Sequence, residues 1–496
     1  MIEGEALGVH VFVVTGGEHR AAALDFVQAL WVQCGARLGM TEPVPGVGVG
    51  LEPRGGWAAH TRGLLAVRGD SGPGVRQAVL RRDHDVLCLS VMLAPDAAEN
   101  LGWAELDAQW SDVVRAAEAG AAASHSGTLG EARLYLARLV DPCAQPAAES
   151  TGALAAALRS RAPGAPDRVP EGVVTPRGFA VWELLPTADT RIERRLVAVA
   201  GHERDPELTA WAWTDRNLNL PPLAKYLLHA AKLRYELRVW RAAEDIATLR
   251  AATDAAIKAL LEGTAAPAGP SRQSEIIRAS HALVALQARE RGLVDRSTLS
   301  REMARTVEIA AANLILFAGD ESLGGPFADD RALAEWLVQR LDDEATYLEA
   351  AVRRCEQVGS LADQLVQRSQ QRRQETVNLG LTGAIGAIVM SLGAVQALQY
   401  TVPLPGPVKP AVVTALGALA LLASLVVLRV VAPERSWSLV LVRLGAGAVG
   451  AALAWIGVAA FGDRGAAAGT TWAGTAVGAV LGVLVSFGFC GRDRGH

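Results

Sequence analysis

Four hydrophobic stretches fill the end of the chain, at roughly 379–399, 411–431, 439–461 and 468–490. No charged residue occurs between Glu375 and Lys409, between Lys409 and Arg429, between Arg443 and Asp463, or between Arg464 and Arg492. A helix rises about 1.5 Å per residue and the hydrocarbon core of a bilayer is about 30 Å thick, so each stretch is long enough to cross as a helix. The reading is a four-helix transmembrane domain over 379–490.

The flanking charges give an orientation. Arg368, Arg372 and Arg373 precede the first span, Arg429, Arg435 and Arg443 surround the second connection, and Arg492 and Arg494 follow the last span. The other two connections carry only Lys409 and Arg464. Eight cations against two put both termini on the cytoplasmic side. Tyr400, Trp437 and Trp472 lie at span ends, where amphipathic rings prefer to sit. The chain opens without a basic stretch followed by an apolar one, so no secretory signal is read. The Ala-, Gly- and Arg-rich composition suits a bacterial source. The expected place is the bacterial inner membrane, multi-pass, in contact with lipid. No Asp, Glu, Lys or His lies at a span centre, which argues against ion-coupled transport. Gly474, Gly478 and Gly482 form two overlapping GxxxG spacings, and Gly450 with Ala454 makes a similar small pair. Such spacing lets helix backbones approach closely, within one chain or in a homo-oligomer.

The preceding 375 or so residues read as soluble protein. Residues 1–215 form an α+β region. Val9–Val14, Gly63–Val67, the hairpin Val75–Leu80 with Val86–Leu93, and Ala132–Val140 alternate with helices at Ala21–Leu38 and Trp103–Ala119. Without one hairpin arm the order is β-α-β-β-α-β, that of a ferredoxin-like sandwich. A second, looser unit has a helix at Thr151–Arg159 and strands at Phe179–Leu184, Arg195–Ala200 and Ala210–Trp213, after a Pro- and Gly-rich linker at 162–175. Glu42–Gly56 reads as a loop. From 220 to 376 the spacing is helical: one helix from Pro221–Pro222 to about Leu261, then 272–291, 296–318 and 328–376. This is a helical bundle whose last helix makes a stalk to the membrane.

Chemistry is hard to find in the soluble part. A net charge of −4 gives no basic field for nucleic acid. Five dispersed cysteines match neither a disulfide framework nor a zinc site. Gly69-Asp70-Ser71-Gly72-Pro73-Gly74 resembles a protease nucleophile loop, and Trp57-Ala58-Ala59-His60 a histidine segment, but they lie too close for that fold. The plain reading is a Gly-Pro turn between strands. Gly46, Gly48 and Gly50 lack the strand-to-helix context of a phosphate cradle. Cys34 and Cys88 sit inside predicted elements, poor places for a nucleophile. No cofactor, metal or catalytic residue is expected. On the helix after Pro222, Lys232, Arg234, Glu236 and Arg238 surround an apolar face and are candidates for docking a partner; packing of that face on the sheet is the simpler alternative.

The opening Leu7-Gly8-Val9-His10-Val11-Phe12-Val13, the stretch NLPPLAKYLLHAAKLRYELRVW from Asn219 to Trp240, and the overall length resemble the CATRA proteins. These are caspase/TPR-repeat-associated components of bacterial conflict systems. The resemblance implies company with caspase-like peptidases and TPR proteins, in defence or programmed death. The expected function is a non-enzymatic, inner-membrane-anchored sensor, adaptor or membrane effector of such a system. The alternative is a passive ion channel or transporter with a cytoplasmic regulatory domain.

Overall fold

The computed structural model describes all residues except 54–55, 58–61, 121–126, 149–150, 168, 185, 187, 215–218, 244–245, 266–269, 321–322, 401–407, 432–435, 462–467 and 491–496. The chain divides into two compact units, Met1–Ala256 with His281–Cys355, and Ile257–Ser280 with Glu356–His496.

The first unit is built on β1 (Ile2–Val14), α1 (Arg20–Leu38), β2 (Gly63–Gly69), β3 (Val75–Asp83), β4 (Val86–Ala94), α2 (Trp103–Gly120), β5 (Thr128–Leu139), α3 (Thr151–Arg161), β6 (Val173–Val174), β7 (Ala180–Glu183), β8 (Glu193–Ala200), α4 (Asp205–Ala212) and α5 (Pro222–Ala242). The eight strands form one sheet in the order β2-β3-β4-β1-β5-β8-β7-β6. β1 pairs antiparallel with β4 and β5, whereas β5 and β8 run parallel. The β-α-β-β-α-β order is present as β1-α1-β3-β4-α2-β5, with β2 added at the edge. The strands of the looser second segment extend this same sheet through β8.

Helices cover both faces, which is why the central strands read as near-continuous apolar runs. On one face Leu7, Val9, Val11 and Val13 pack in a core with Phe26, Leu30 and Trp31 of α1 and Leu106 and Trp110 of α2. On the other, Phe12, Leu134, Leu136, Leu196 and Ala198 share a core with Leu223, Leu227, Ala230 and Leu237 of α5. The edge at β2 is not left open. Glu42 and Gly69 exchange backbone hydrogen bonds of 2.9 and 2.8 Å, and Val67 N donates to Gly50 O at 3.1 Å. The segment read as a loop therefore caps a strand edge that would otherwise template pairing.

Two expectations need correction. Ala210–Trp213 is not a strand: it ends α4, whose first turn holds Pro206, Asp205 and Glu207, all suited to a helix start. The helix from Pro222 does not run to Leu261. It stops at Ala243, whose backbone turns extended (φ −64°, ψ 145°), and α6 (Ile246–Ala265) begins afresh. α7 (Pro270–Ala288), α8 (Leu293–Ala318) and α9 (Gly325–Tyr400) follow.

In the second unit, α10 (Lys409–Val431), α11 (Ser436–Phe461) and α12 (Ala468–Cys490) match the last three expected spans. Among the described residues, three helices are long and apolar enough to cross a membrane, over Lys409–Val426, Val440–Ala460 and Gly469–Ser486. The first expected span, 379–399, is the closing part of the 76-residue α9 and is not among those three. Leu419, Leu444 and Val480 are among many apolar side chains these helices leave exposed, as a lipid-facing surface requires.

Candidate functional site

The densest chemistry of the first unit is a cluster of buried charges between the sheet and the helices on its α5 face. Each member sits in phase with apolar neighbours. Glu183 follows Val181 on one face of β7, and Arg194 shares a face of β8 with Leu196 and Ala198. Arg234 lies one turn from Ala230 and Leu237 on α5, and Asp330 lies one turn from Ala334 and two from Leu337 on α9. Their periodicity therefore carries charges into the core.

Asp330, 0% exposed, is the hub. It accepts from Arg194 Nη1 at 2.8 Å, Arg234 Nη2 at 2.5 Å and the Tyr226 hydroxyl at 2.6 Å. Glu183 accepts two bonds from Arg194, of 2.9 and 2.7 Å, and one from Arg191 Nε at 2.9 Å. Burial works against the Asp330 charge, but Arg194 and Arg234 outweigh it and hold the carboxyl at about 2. Burial likewise opposes the Glu183 charge, and Arg194 pulls that group below the usual carboxylate range. Isolated charges in such a place would cost several kcal/mol each; here each carboxylate meets more than one donor. The cluster clamps β7, β8, α5 and α9 together.

A second buried network lies on the opposite face. Arg133 of β5 donates to Asp107 at 2.9 Å and to Glu131 at 2.7 Å, and Tyr135 donates to Asp107 at 2.7 Å. A third links β1 to the end of α4: His10 Nδ1 lies 2.8 Å from Ser90 Oγ and His10 Nε2 3.0 Å from Ala212 O. Burial lowers His10 to about 4, so it is neutral at pH 7. Its Nε2 then donates to the carbonyl and its Nδ1 accepts from the serine. His10 and Ser90 are both 0% exposed, so this pair joins elements. An open groove of about 970 Å3 lies at one end of the sheet, floored by Met92, Leu136 and Trp213 and rimmed by the ion pairs Glu3–Arg138 (3.2 Å) and Glu5–Arg161 (2.9 Å).

Of the candidate docking residues on α5, Arg234 is buried and Lys232, Glu236 and Arg238 are part-buried. Arg234 is the buried partner of Asp330. Lys232 donates to Asp85 at 2.9 Å in the β3–β4 turn. Arg238 donates to Thr128 O at 3.0 Å and Leu129 O at 2.8 Å, at the start of β5. Glu236 is part-buried, and burial raises it to about 7 against the pull of Lys232. The α5 face thus packs on the sheet. Cys34 and Cys88 are fully buried, and burial pushes both thiols up to about 12. Gly69–Gly74 is the turn between β2 and β3, and His60 lies outside the described residues. Among the described residues no group of three or more His, Cys, Asp or Glu is placed to hold a metal ion.

The small residues of the last two apolar helices meet within the chain. A Cβ on Gly450, Gly478 or Gly482 would fall under 3.0 Å from the facing helix, and one on Gly474 would stand 2.8 Å from Val458. Gly478 also faces Ala454. All five positions lie where α11 and α12 cross.

Asp330, Glu183, Arg191, Arg194 and Tyr226 escaped the sequence reading. The available signal was a charge in apolar phase: Asp330 stands at the spacing of Ala334, Leu337 and Leu341.

Fold and site define a class: a helix-covered α/β sheet locked by buried charges to a helical region, followed by apolar helices. Residues 6–216 match the CASPASE and TPR Repeat-Associated N-terminal domain, and residues 221–355 match the corresponding C-terminal domain. The chain belongs to the CATRA family. It matches no curated protein and no solved structure. The boundary between the two domains falls beside α5, so the buried cluster joins them: Glu183, Arg191 and Arg194 come from the N-terminal domain, Tyr226, Arg234 and Asp330 from the C-terminal one.

Proposed function

We propose that this chain is a non-enzymatic, membrane-anchored component of a conflict system that works with a caspase-like peptidase. The observation that carries the reading is the position of the family match. It ends at residue 355, and the apolar helices lie beyond it. The CATRA head is the part in common with caspase- and TPR-associated relatives; the tail adds a membrane anchor. In this reading 379–399 crosses as well, making four spans with both termini on the cytoplasmic side, as the eight-to-two distribution of flanking cations favours. The close crossing of α11 and α12 favours a packed anchor over a channel between them.

The test compares the whole chain with residues 1–376, each produced beside the active partner peptidase. The expected result is that only the whole chain sediments with membranes and releases an entrapped dye. Equal sedimentation removes the anchor, and equal leakage removes the effector role.

A further inference from the structure

β1 outruns β4 at one end of the sheet. The ladder between them runs only from Leu7↔Leu93 to Val14↔Val86. Ala94 ends β4, and Pro95, which has no N–H to pair, follows it. Among the described residues, positions 2–6 of β1 therefore pair on the β5 side alone. Even there the register shifts between Glu3 and Ala6, with Gly4 at φ +66°, a bulge that interrupts the ladder. Ile2 O takes its hydrogen bond from the Arg161 side chain at 2.9 Å, not from a strand. An open strand edge of this kind templates pairing with another chain.

The open groove of about 970 Å3 lies along this edge. All of residues 2–6 line it, and so does the chain leaving β4, residues 94–97. Met92, Leu136, Leu208 and Trp213 give it an apolar floor. Its lining carries four carboxylates, of Glu3, Glu5, Asp96 and Asp205, against two guanidinium groups, of Arg138 and Arg161. Both guanidinium groups are engaged by lining acids: Arg138 by Glu3 at 3.2 Å and Asp205 at 3.9 Å, Arg161 by Glu5 at 2.9 Å. The lining is thus left with an excess of negative charge. Asp96 is exposed and makes no ion pair among the described residues.

We propose that the groove docks an extended, basic peptide segment of a partner protein, which adds as a strand to the free edge of β1. Backbone groups of the segment pair with residues 2–6. Its alternate apolar side chains rest on Met92, Leu136 and Trp213, and the lysines or arginines between them meet Asp96 and the acidic rim. The excess negative charge of the lining favours such a segment and opposes an acidic one. The groove lies wholly within the first unit and takes no residue from the apolar helices. Its occupancy does not depend on the role proposed above.

The test uses the full chain in nonionic detergent and three fluorescein-labelled peptides. One alternates valine with arginine, one alternates valine with glutamate, and the third is the first with every backbone N–H methylated. Fluorescence anisotropy and melting temperature are read. The expected result is saturable binding of the arginine peptide, none of the glutamate peptide, and binding of the methylated peptide at least 10-fold weaker. Asp96→Lys should weaken the arginine peptide about 10-fold. Gln77→Trp, opposite Met92 in the β3–β4 ladder, fills the groove and should abolish binding. Neither position is buried, so both variants should melt within a few degrees of the parent. Absence of saturable binding of the arginine peptide to the parent overturns the proposal. Equal binding of the glutamate or the methylated peptide overturns it as well, and so does unchanged binding in both folded variants.

Discussion

Asp330 shows how a single carboxylate can set the stability of a large interface. It is fully buried, and two guanidinium groups and a phenol converge on it. Asp330→Ala leaves Arg194 and Arg234 inside without their shared counter-charge, and removing one partner of a buried pair costs about 3–5 kcal/mol. The expected outcome is a lower melting temperature of the detergent-solubilised chain with the fold retained at low temperature, read by circular dichroism. The pH dependence follows from the direction of the shift. The folded pKa of about 2 lies below the ordinary value of 3.8, so the stabilisation is complete above about 4 and lost as pH falls toward 2. Asp330→Asn should flatten acid unfolding in that window. Glu236 behaves oppositely. Its folded pKa, about 7, lies above the ordinary 4.5, so the folded state loses stability as pH rises from about 4.5 to 7. Glu236→Gln should remove that slope and raise stability at pH 8 by about 2 kcal/mol, after allowance for partial solvent access.

At the scale of elements, strands and helices with one clear period were legible. β3 and β4 were readable because a charged turn separates two apolar runs, and α10, α11 and α12 because no charge interrupts them. α4 was misread because Ala210–Trp213 is too short to show a period, and its helix-start residues lie five positions earlier. The pairing within the buried cluster was not legible because its ion pairs join residues up to 136 positions apart, as Arg194 with Asp330, and no local pattern encodes which charge meets which. The glycine spacing of α12 was readable, but not that it serves contacts inside one chain. That contact gives a prediction. Gly478→Leu forces a side chain where Gly450 and Ala454 of α11 already stand, and overpacking costs about 1–3 kcal/mol. Val477→Leu, at a position 60% exposed, is the control. Protease resistance of the apolar helices in the detergent-solubilised chain should fall for the first and stay unchanged for the second. Loss of resistance in both would dismiss the crossing as the cause.

For the whole chain, the two CATRA domains share one core. Leu196 and Ala198 of the N-terminal domain and Leu227, Leu314, Phe327 and Leu337 of the C-terminal one belong to a single apolar cluster, and the charges of Glu183, Arg194, Arg234 and Asp330 sit beside it. A domain that completes its core with residues of its neighbour cannot be removed without exposing that surface to water, at about 25 cal/mol per Å2. The covalent link between the domains should therefore matter less than the interface. A protease site inserted at 215–218 and cleaved after folding should leave two fragments that co-elute and melt in one transition close to that of the uncut chain. Cleaved Asp330→Ala should melt lower than cleaved parent, by more than the same substitution lowers the uncut chain, since cleavage adds the loss of the other half to every opening event. Separation of the parent's fragments on cutting would show instead that the linker, not the shared core, holds the CATRA head together.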